Sequence, residues 1–120
     1  MRATLPLIAG LVIILPLAGA AQAAGTRQFS GVAAYYDKNY SGRTASGATY
    51  DPKKFTCAHR TLPFGTRVRV TDVKTHRTVE VVVNDRGPFT KNRVLDLSLA
   101  AAQSLGMTSR GLIKVMATIE

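Results

Sequence analysis

Apolar residues are distributed in two regimes along the chain. From Leu5 to Leu17 they are almost continuous, whereas from Phe29 onward they come in short runs separated by polar, glycine- and proline-bearing stretches. The first regime follows the positive start Met1-Arg2 and closes on Ala21-Gln22-Ala23, small residues around one polar one. That is the layout of a secretory leader, and a 13-residue apolar run is short of the roughly 20 needed to span a bilayer as a helix. Residues 1–23 are therefore expected to be a signal peptide, residues 24–29 a short lead-in, and residues 30–120 one domain.

The second regime reads mainly as strands. Phe29 to Asp37 is rich in strand formers, and residues 37–54 concentrate turn residues, which predicts a long irregular segment. In Arg67 to Thr71 the valines share one face and the polar residues the other. In Thr78 to Asn84 Val79, Val81 and Val83 alternate with Glu80, Val82 and Asn84. Extended one step further, that strand places Asp85 on the valine face, at the edge of an apolar interior, before Gly87-Pro88 ends it. A short helix fits residues 98–105, with Ser98 as its cap and Gly106 as its stop. A closing strand fits Leu112 to Ile119. Several short strands around one helix predict a small β-barrel.

Charge changes the picture only after the leader is considered. Sixteen Lys+Arg against seven Asp+Glu give a formal charge of +9, which in a cytoplasmic protein would point to nucleic acid. An exported chain meets envelope polymers instead, so no nucleic-acid partner is expected. Cys57 is the single cysteine, which excludes an internal disulfide, and none stands near residue 23 to carry a lipid. No membrane anchor is expected after leader removal, and the domain is expected to be a monomer. Two histidines and one cysteine without ligand spacing give no metal site, and no cofactor is expected.

Among the seven acids, Asp85 stands out because a strand ends there against a Gly-Pro turn, flanked by Asn84 and Arg86. An Asp-Arg pair that merely orders a turn accounts for the same residues. His59 and Cys57 would share a face in a strand, but a small buried thiol explains Cys57 better than a nucleophilic pair. Arg43, Arg60 and Arg86 border these segments, where a guanidinium could hold a substrate carboxylate, while Lys53, Lys54, Arg67, Arg69, Lys74 and Arg77 read as solvated faces. Tyr35, Tyr36 and Tyr40 are candidates for stacking on sugar rings.

The runs Gly31-Val32-Ala33-Ala34-Tyr35-Tyr36, Gly42-Arg43-Thr44-Ala45-Ser46-Gly47, Thr56 to Thr66, Asn84-Asp85-Arg86-Gly87-Pro88-Phe89 and Arg93-Val94-Leu95-Asp96-Leu97-Ser98 resemble, in order and spacing, the RlpA-like septal ring lytic transglycosylases. The resemblance spans residues 30–118. It implies a mainly β fold, a six-stranded double-psi β-barrel with one or two short helices, located in the periplasm or cell envelope of a bacterium. The implied activity is endolytic cleavage of peptidoglycan glycan strands lacking stem peptides, leaving 1,6-anhydro-muramic ends. Position by position, it makes Asp85 the catalytic aspartate and His59 the active-site histidine. Thr44, Ser46 and Gly47 fall in the loop that lines the groove, with Asn84 and Arg86 beside it as further substrate-binding candidates. One departure bears on the chemistry: Ala48 stands where the family usually keeps a glutamate. The alternative implied by that loss is a non-catalytic, expansin-like glycan-binding barrel.

Overall fold

A computed structural model describes residues 27–120; the expected leader, residues 1–23, lies outside the described residues. Six strands close into a barrel: β1 (Arg27–Tyr35), β2 (Thr56–Ala58), β3 (Arg67–Asp72), β4 (Thr78–Asp85), β5 (Arg93–Leu97) and β6 (Ile113–Ile119), in the order β1-β5-β2-β4-β3-β6. Among the described residues one α-helix, α1 (Leu99–Leu105), connects β5 to β6. The expected mainly β barrel with a short helix is what the chain forms.

Period-two patterning produces the core. On β3 Val68 and Val70 are buried between exposed arginines, on β4 Val79, Val81 and Val83 point inward, and on β6 Ile113, Val115 and Ala117 do the same. These side chains meet Leu95 and Leu97 of β5, Cys57 of β2, and Ala101, Ala102 and Leu105 of α1 in one cluster. Full burial of each valine or leucine stabilises the fold by about 1.5–3 kcal/mol, so the interior carries the domain without a disulfide. Burial, with a smaller contribution from Asp96, pushes the Cys57 thiol up to about 12, as suits an inert core residue.

The first strand begins at Arg27, inside the span expected to be a lead-in. Arg27 and Gln28 lie opposite Ile119 and Thr118 of β6, a relation that no side-chain alternation reveals. The strand also ends earlier than expected, at Tyr35, and Tyr36 leaves it with its N–H on Leu97 O at 3.0 Å.

Two parallel pairs give the barrel its crossed connections, β1 with β5 and β2 with β4, and each carries a register shift. In the first, Val32 opposes Arg93 and Ala33 opposes Leu95, so Val94 is the extra residue. Its side chain lies over Gly31, where a Cβ would stand 2.6 Å from Val94 Cγ1. In the second, Cys57 opposes Val83 and Ala58 opposes Asp85, which makes Asn84 the extra residue just where the candidate carboxylate emerges.

Helix α1 is capped as its sequence predicts. Ser98 Oγ accepts from Ala101 N at 3.3 Å and also from Thr56 N at 3.2 Å, tying the helix to β2. Gly106 closes the helix in the left-handed region at φ 68°, where a Cβ would stand 2.5 Å from Arg77 Nη1.

Asp72, at the end of β3, is a buried acid whose role is structural. Its carboxylate is 1% exposed, takes Arg110 Nη2 on Oδ2 at 2.5 Å and Lys74 N on Oδ1 at 2.9 Å. Burial alone would raise its pKa, but the bonds from Arg110, Lys74 and Thr75 outweigh it and hold the carboxyl below its ordinary 3.8. A lowered carboxylate pKa lends stability that is present above the ordinary value and lost as pH falls through the folded one. Asp72→Asn should therefore lower unfolding stability at pH 7 by about 3 kcal/mol, the low end for a broken buried pair because Arg110 keeps access to water. Urea denaturation as a function of pH checks this, with a shallower acid-side decline in the variant than in the parent chain.

Candidate functional site

Asp85 ends β4 at one end of the barrel, half-buried, and three donors from three parts of the chain converge on it. Ala45 N and Arg86 N reach Oδ1 at 2.7 and 2.9 Å. The Tyr36 hydroxyl donates to Oδ2 at 2.5 Å. One backbone amide belongs to the long 37–54 segment, the other to the residue after Asp85, and the phenol stands just past the end of β1. The bulge at Asn84 interrupts the alternation that would have put Asp85 on the valine face, and hydrogen bonds fix the direction of its carboxylate.

The segment that carries Ala45 is a small folded unit. Arg43 and Thr49 form an isolated antiparallel bridge, Thr44 N donates to Ala48 O at 2.8 Å and Gly47 N to Thr44 O at 2.9 Å. Thr44 is buried and its hydroxyl lies 2.9 Å from Ser46 Oγ. Ser46 N then donates to Asn84 O at 3.2 Å, so the tip of this unit rests on the residue preceding Asp85. Gly47 has φ 94° with nothing within 4 Å of where a Cβ would stand, and Ala48 beside it is exposed. Thr44, Ser46, Gly47 and Asn84 are thus brought to Asp85 as a group. Asn84 Oδ1 is buried without a hydrogen-bond partner among the described residues.

His59 follows β2 directly, because the strand stops at Ala58; it does not share a strand face with Cys57 as the spacing suggested. Its link to Asp85 is through backbone, His59 N to Asp85 O at 3.1 Å. Its ring nitrogen Nδ1 accepts from Thr61 N and Leu62 N at 3.1 and 3.0 Å, which requires the neutral imidazole with its proton on Nε2. Phe29 packs edge-on against the ring at 5.0 Å. Burial, then the charges of Arg86 and Arg60, lower its pKa below 6.5.

The three arginines that could hold a substrate carboxylate all have backbone partners. Arg86 Nη1 donates to His59 O and Leu62 O at 3.1 and 2.8 Å, and its guanidinium carbon lies 4.1 Å from the centroid of the Phe64 ring. Arg60 donates to Pro88 O, Thr90 O and Arg93 O at 2.7, 3.1 and 2.6 Å. The first holds the 59–62 turn and the second the 88–93 turn, because each turn presents carbonyls that lack a strand partner. Arg43 Nη1 likewise donates to Gly47 O at 2.8 Å.

Two features escaped the sequence. Tyr36, a stacking candidate by composition, is the side chain that touches Asp85; its only signal was its position at a strand end. Tyr50 was not singled out, yet its ring stacks on Tyr36 at 4.5 Å and 19°, and its hydroxyl accepts from Leu99 N at 3.1 Å. Phe89, which follows the Gly87-Pro88 turn after Asp85, is 80% exposed, with its ring 3.6 Å from the Cβ position of Gly87. Concavities of about 690 and 790 Å3 occur elsewhere, between β1 and α1 and over β1, β5 and β6, and Asp85 lines neither.

A closed six-stranded barrel with two crossed parallel pairs and a lone hydrogen-bonded aspartate at one end defines a double-psi β-barrel with a polar site on its rim. The lytic transglycolase family profile matches residues 28–117, and the chain belongs to that family. It is 51% identical over 90 residues to a probable endolytic peptidoglycan transglycosylase RlpA of Nostoc sp., covering 72% of this chain and 24% of the relative. Against the endolytic peptidoglycan transglycosylase RlpA of Haemophilus influenzae it is 49% identical over 86 residues, 71% of this chain and 30% of the relative. The match thus spans about a quarter to a third of these curated relatives. Among solved structures, a Streptomyces papain inhibitor superposes with TM-score 0.64 at 25% identity, covering 78% of this chain and 94% of the inhibitor. An expansin of Clavibacter michiganensis in complex with cellohexaose gives 0.62 at 22% identity, covering 78% and 50%, which establishes a shared fold.

A lowered histidine pKa lends stability that is full above about 6.5 and is lost as pH falls through the folded value. Protonation would set a third N–H against Thr61 N and Leu62 N. Nitrogen-15 NMR of the imidazole should show the Nε2–H tautomer at pH 6.5 and a titration midpoint below that value. A midpoint at or above it would contradict the geometry.

Proposed function

We propose that the domain is a peptidoglycan lytic transglycosylase acting on glycan strands without stem peptides, with Asp85 as its acid and base. The observation that carries the reading is the convergence of Tyr36, Ala45 N and Arg86 N on one rim carboxylate, in a chain of this family. A glycoside hydrolase needs two carboxyl groups, one to protonate the leaving oxygen and one to direct water or attack the sugar. A transglycosylase can work with one. Asp85 in its protonated form gives its proton to the glycosidic oxygen, and the C1–O bond breaks with its electron pair on that oxygen. The 6-hydroxyl of the muramoyl residue closes on C1, and its proton passes to the Asp85 carboxylate. Atoms balance without water, and the enzyme returns to its starting state.

His59 serves this site as a neutral wall residue whose backbone amide continues the β2–β4 ladder to Asp85. Thr44, Ser46, Gly47 and Asn84 form the groove side of the site, and Arg86 orders the turn beneath it. Phe89 offers an exposed ring for stacking on a sugar. Residues 1–23 act as a leader that delivers the domain to the cell envelope, where glycan strands are its partner. The chain's positive charge suits strands that bear a lactyl carboxylate on alternate sugars.

A second reading has its own observation. Ala48 places a bare exposed methyl where the family usually keeps a glutamate, and loss of one positioned polar group lowers a rate by about 100-fold or more. A slow enzyme or a glycan-binding barrel without turnover both fit that substitution. Mass spectrometry of purified strand digests separates them. The parent chain should release 1,6-anhydro-muramic ends and Asp85→Asn should release none, while both co-sediment with sacculi. Absence of anhydro ends in the parent would leave binding alone. Phe89→Ala, a surface change, should raise KM or the dissociation constant about tenfold while moving kcat less than twofold.

A further inference from the structure

The phenol of Tyr36 is held as tightly as the carboxylate it touches. Its backbone N–H is on Leu97 O at 3.0 Å, and its ring stacks on Tyr50 at 4.5 Å and tilts against Tyr40 at 5.2 Å. Tyr40 in turn meets Tyr50 edge-on at 5.3 Å, and the Tyr50 hydroxyl takes the first amide of α1, Leu99 N, at 3.1 Å. Three rings tied to a helix end therefore leave the Tyr36 hydroxyl with little freedom except rotation of its own proton. That hydroxyl meets Asp85 Oδ2, and Oδ2 is the oxygen on which chemistry can occur, because Oδ1 already accepts from Ala45 N and Arg86 N.

A phenol both donates and accepts. When Asp85 is ionised, Tyr36 donates to Oδ2; when Oδ2 carries the proton, the phenol oxygen can take it as acceptor with its own proton turned away. The contact survives both protonation states, so the carboxyl group stays aimed while its charge changes. Backbone amides cannot do this, since they only donate.

We propose that Tyr36 is the positioning residue for Asp85 in the transglycosylase reaction, and that this phenol supplies the second polar group which Ala48 does not. The inference rests on the transglycosylase reading of the site. Burial and the Asp85 contact push the Tyr36 phenol well above its ordinary 10.0, so it remains a proton-bearing partner across the working pH range. No step leaves the phenol deprotonated: the proton that moves is shared among Asp85, the glycosidic oxygen and the 6-hydroxyl.

The test is Tyr36→Phe, which keeps the ring stack and removes one oxygen. On purified glycan strands kcat should fall 10- to 100-fold, with KM changed less than twofold and the thermal midpoint within a few degrees of the parent. A residue that merely packs would move the midpoint and KM and leave kcat. Ultraviolet titration of the tyrosines gives a reading independent of turnover. The parent should contain a phenol that resists ionisation beyond the others, that class should vanish in Tyr36→Phe, and in Asp85→Asn it should titrate earlier. A Tyr36→Phe chain with kcat within twofold of the parent, or an Asp85→Asn titration identical to the parent, overturns this inference alone. A parent chain that releases no anhydro ends overturns instead the function on which it rests.

Discussion

The parallel pairing of β2 with β4 is the constraint on which the site depends. A three-residue strand, Thr56–Ala58, is sandwiched between β4 and β5, and its register slips by one residue where Ala58 meets Asp85. That slip inserts Asn84 and leaves the next carboxylate, Asp85, at the barrel rim. Bulges of this kind re-aim a side chain without changing the strands around it. The 43–49 unit then rests on Asn84 and Asp85 through Ser46 N and Ala45 N, so the groove loop is positioned by the strand end it covers. Loop placement and carboxylate direction meet at this one backbone irregularity.

Cationic side chains divide their work in a way that net charge alone conceals. Arg43, Arg60 and Arg86 donate to backbone carbonyls, Arg93 and Arg110 pair with Asp96 and Asp72, and Arg69 pairs with Glu120 at the surface. The first three hold turns whose carbonyls have no strand neighbour, which is the backbone accounting that a loop-rich barrel must satisfy. The chain's long-range positive field therefore rests on the remaining lysines and arginines, and salt screens it. Near Asp85 the donors are two amides and a phenol, all uncharged, so the carboxylate is directed without being paired to a cation.

Much of this was legible from the chain alone. Alternating valines on β3 and β4 gave the inward face, Ser98 and Gly106 gave the helix ends, and Asp85 emerged from a strand running into Gly-Pro. The start of β1 was hidden because pairing with β6 is a backbone relation and leaves no mark on side-chain order. Cys57 is the buried thiol the sequence suggested, while the end of β2 before His59 was hidden because two-residue spacing says nothing about where a short strand stops. The backbone role of Arg60 and Arg86 was hidden because the carbonyls they hold lie 24 to 33 residues away in sequence. Tyr36 and Tyr50 were invisible as a pair for the same reason: stacking across a long irregular segment has no period. What a sequence reads well is patterning within an element; the site is built from contacts between them.

The central claim is that one carboxylate, aimed by uncharged donors, performs a reaction in which the sugar's own hydroxyl replaces water. Digestion of purified glycan strands in oxygen-18 water tests this most directly. The account predicts anhydro-muramic ends with no heavy oxygen in any new terminus. New reducing ends carrying oxygen-18 would mean that water had attacked C1, and would contradict it.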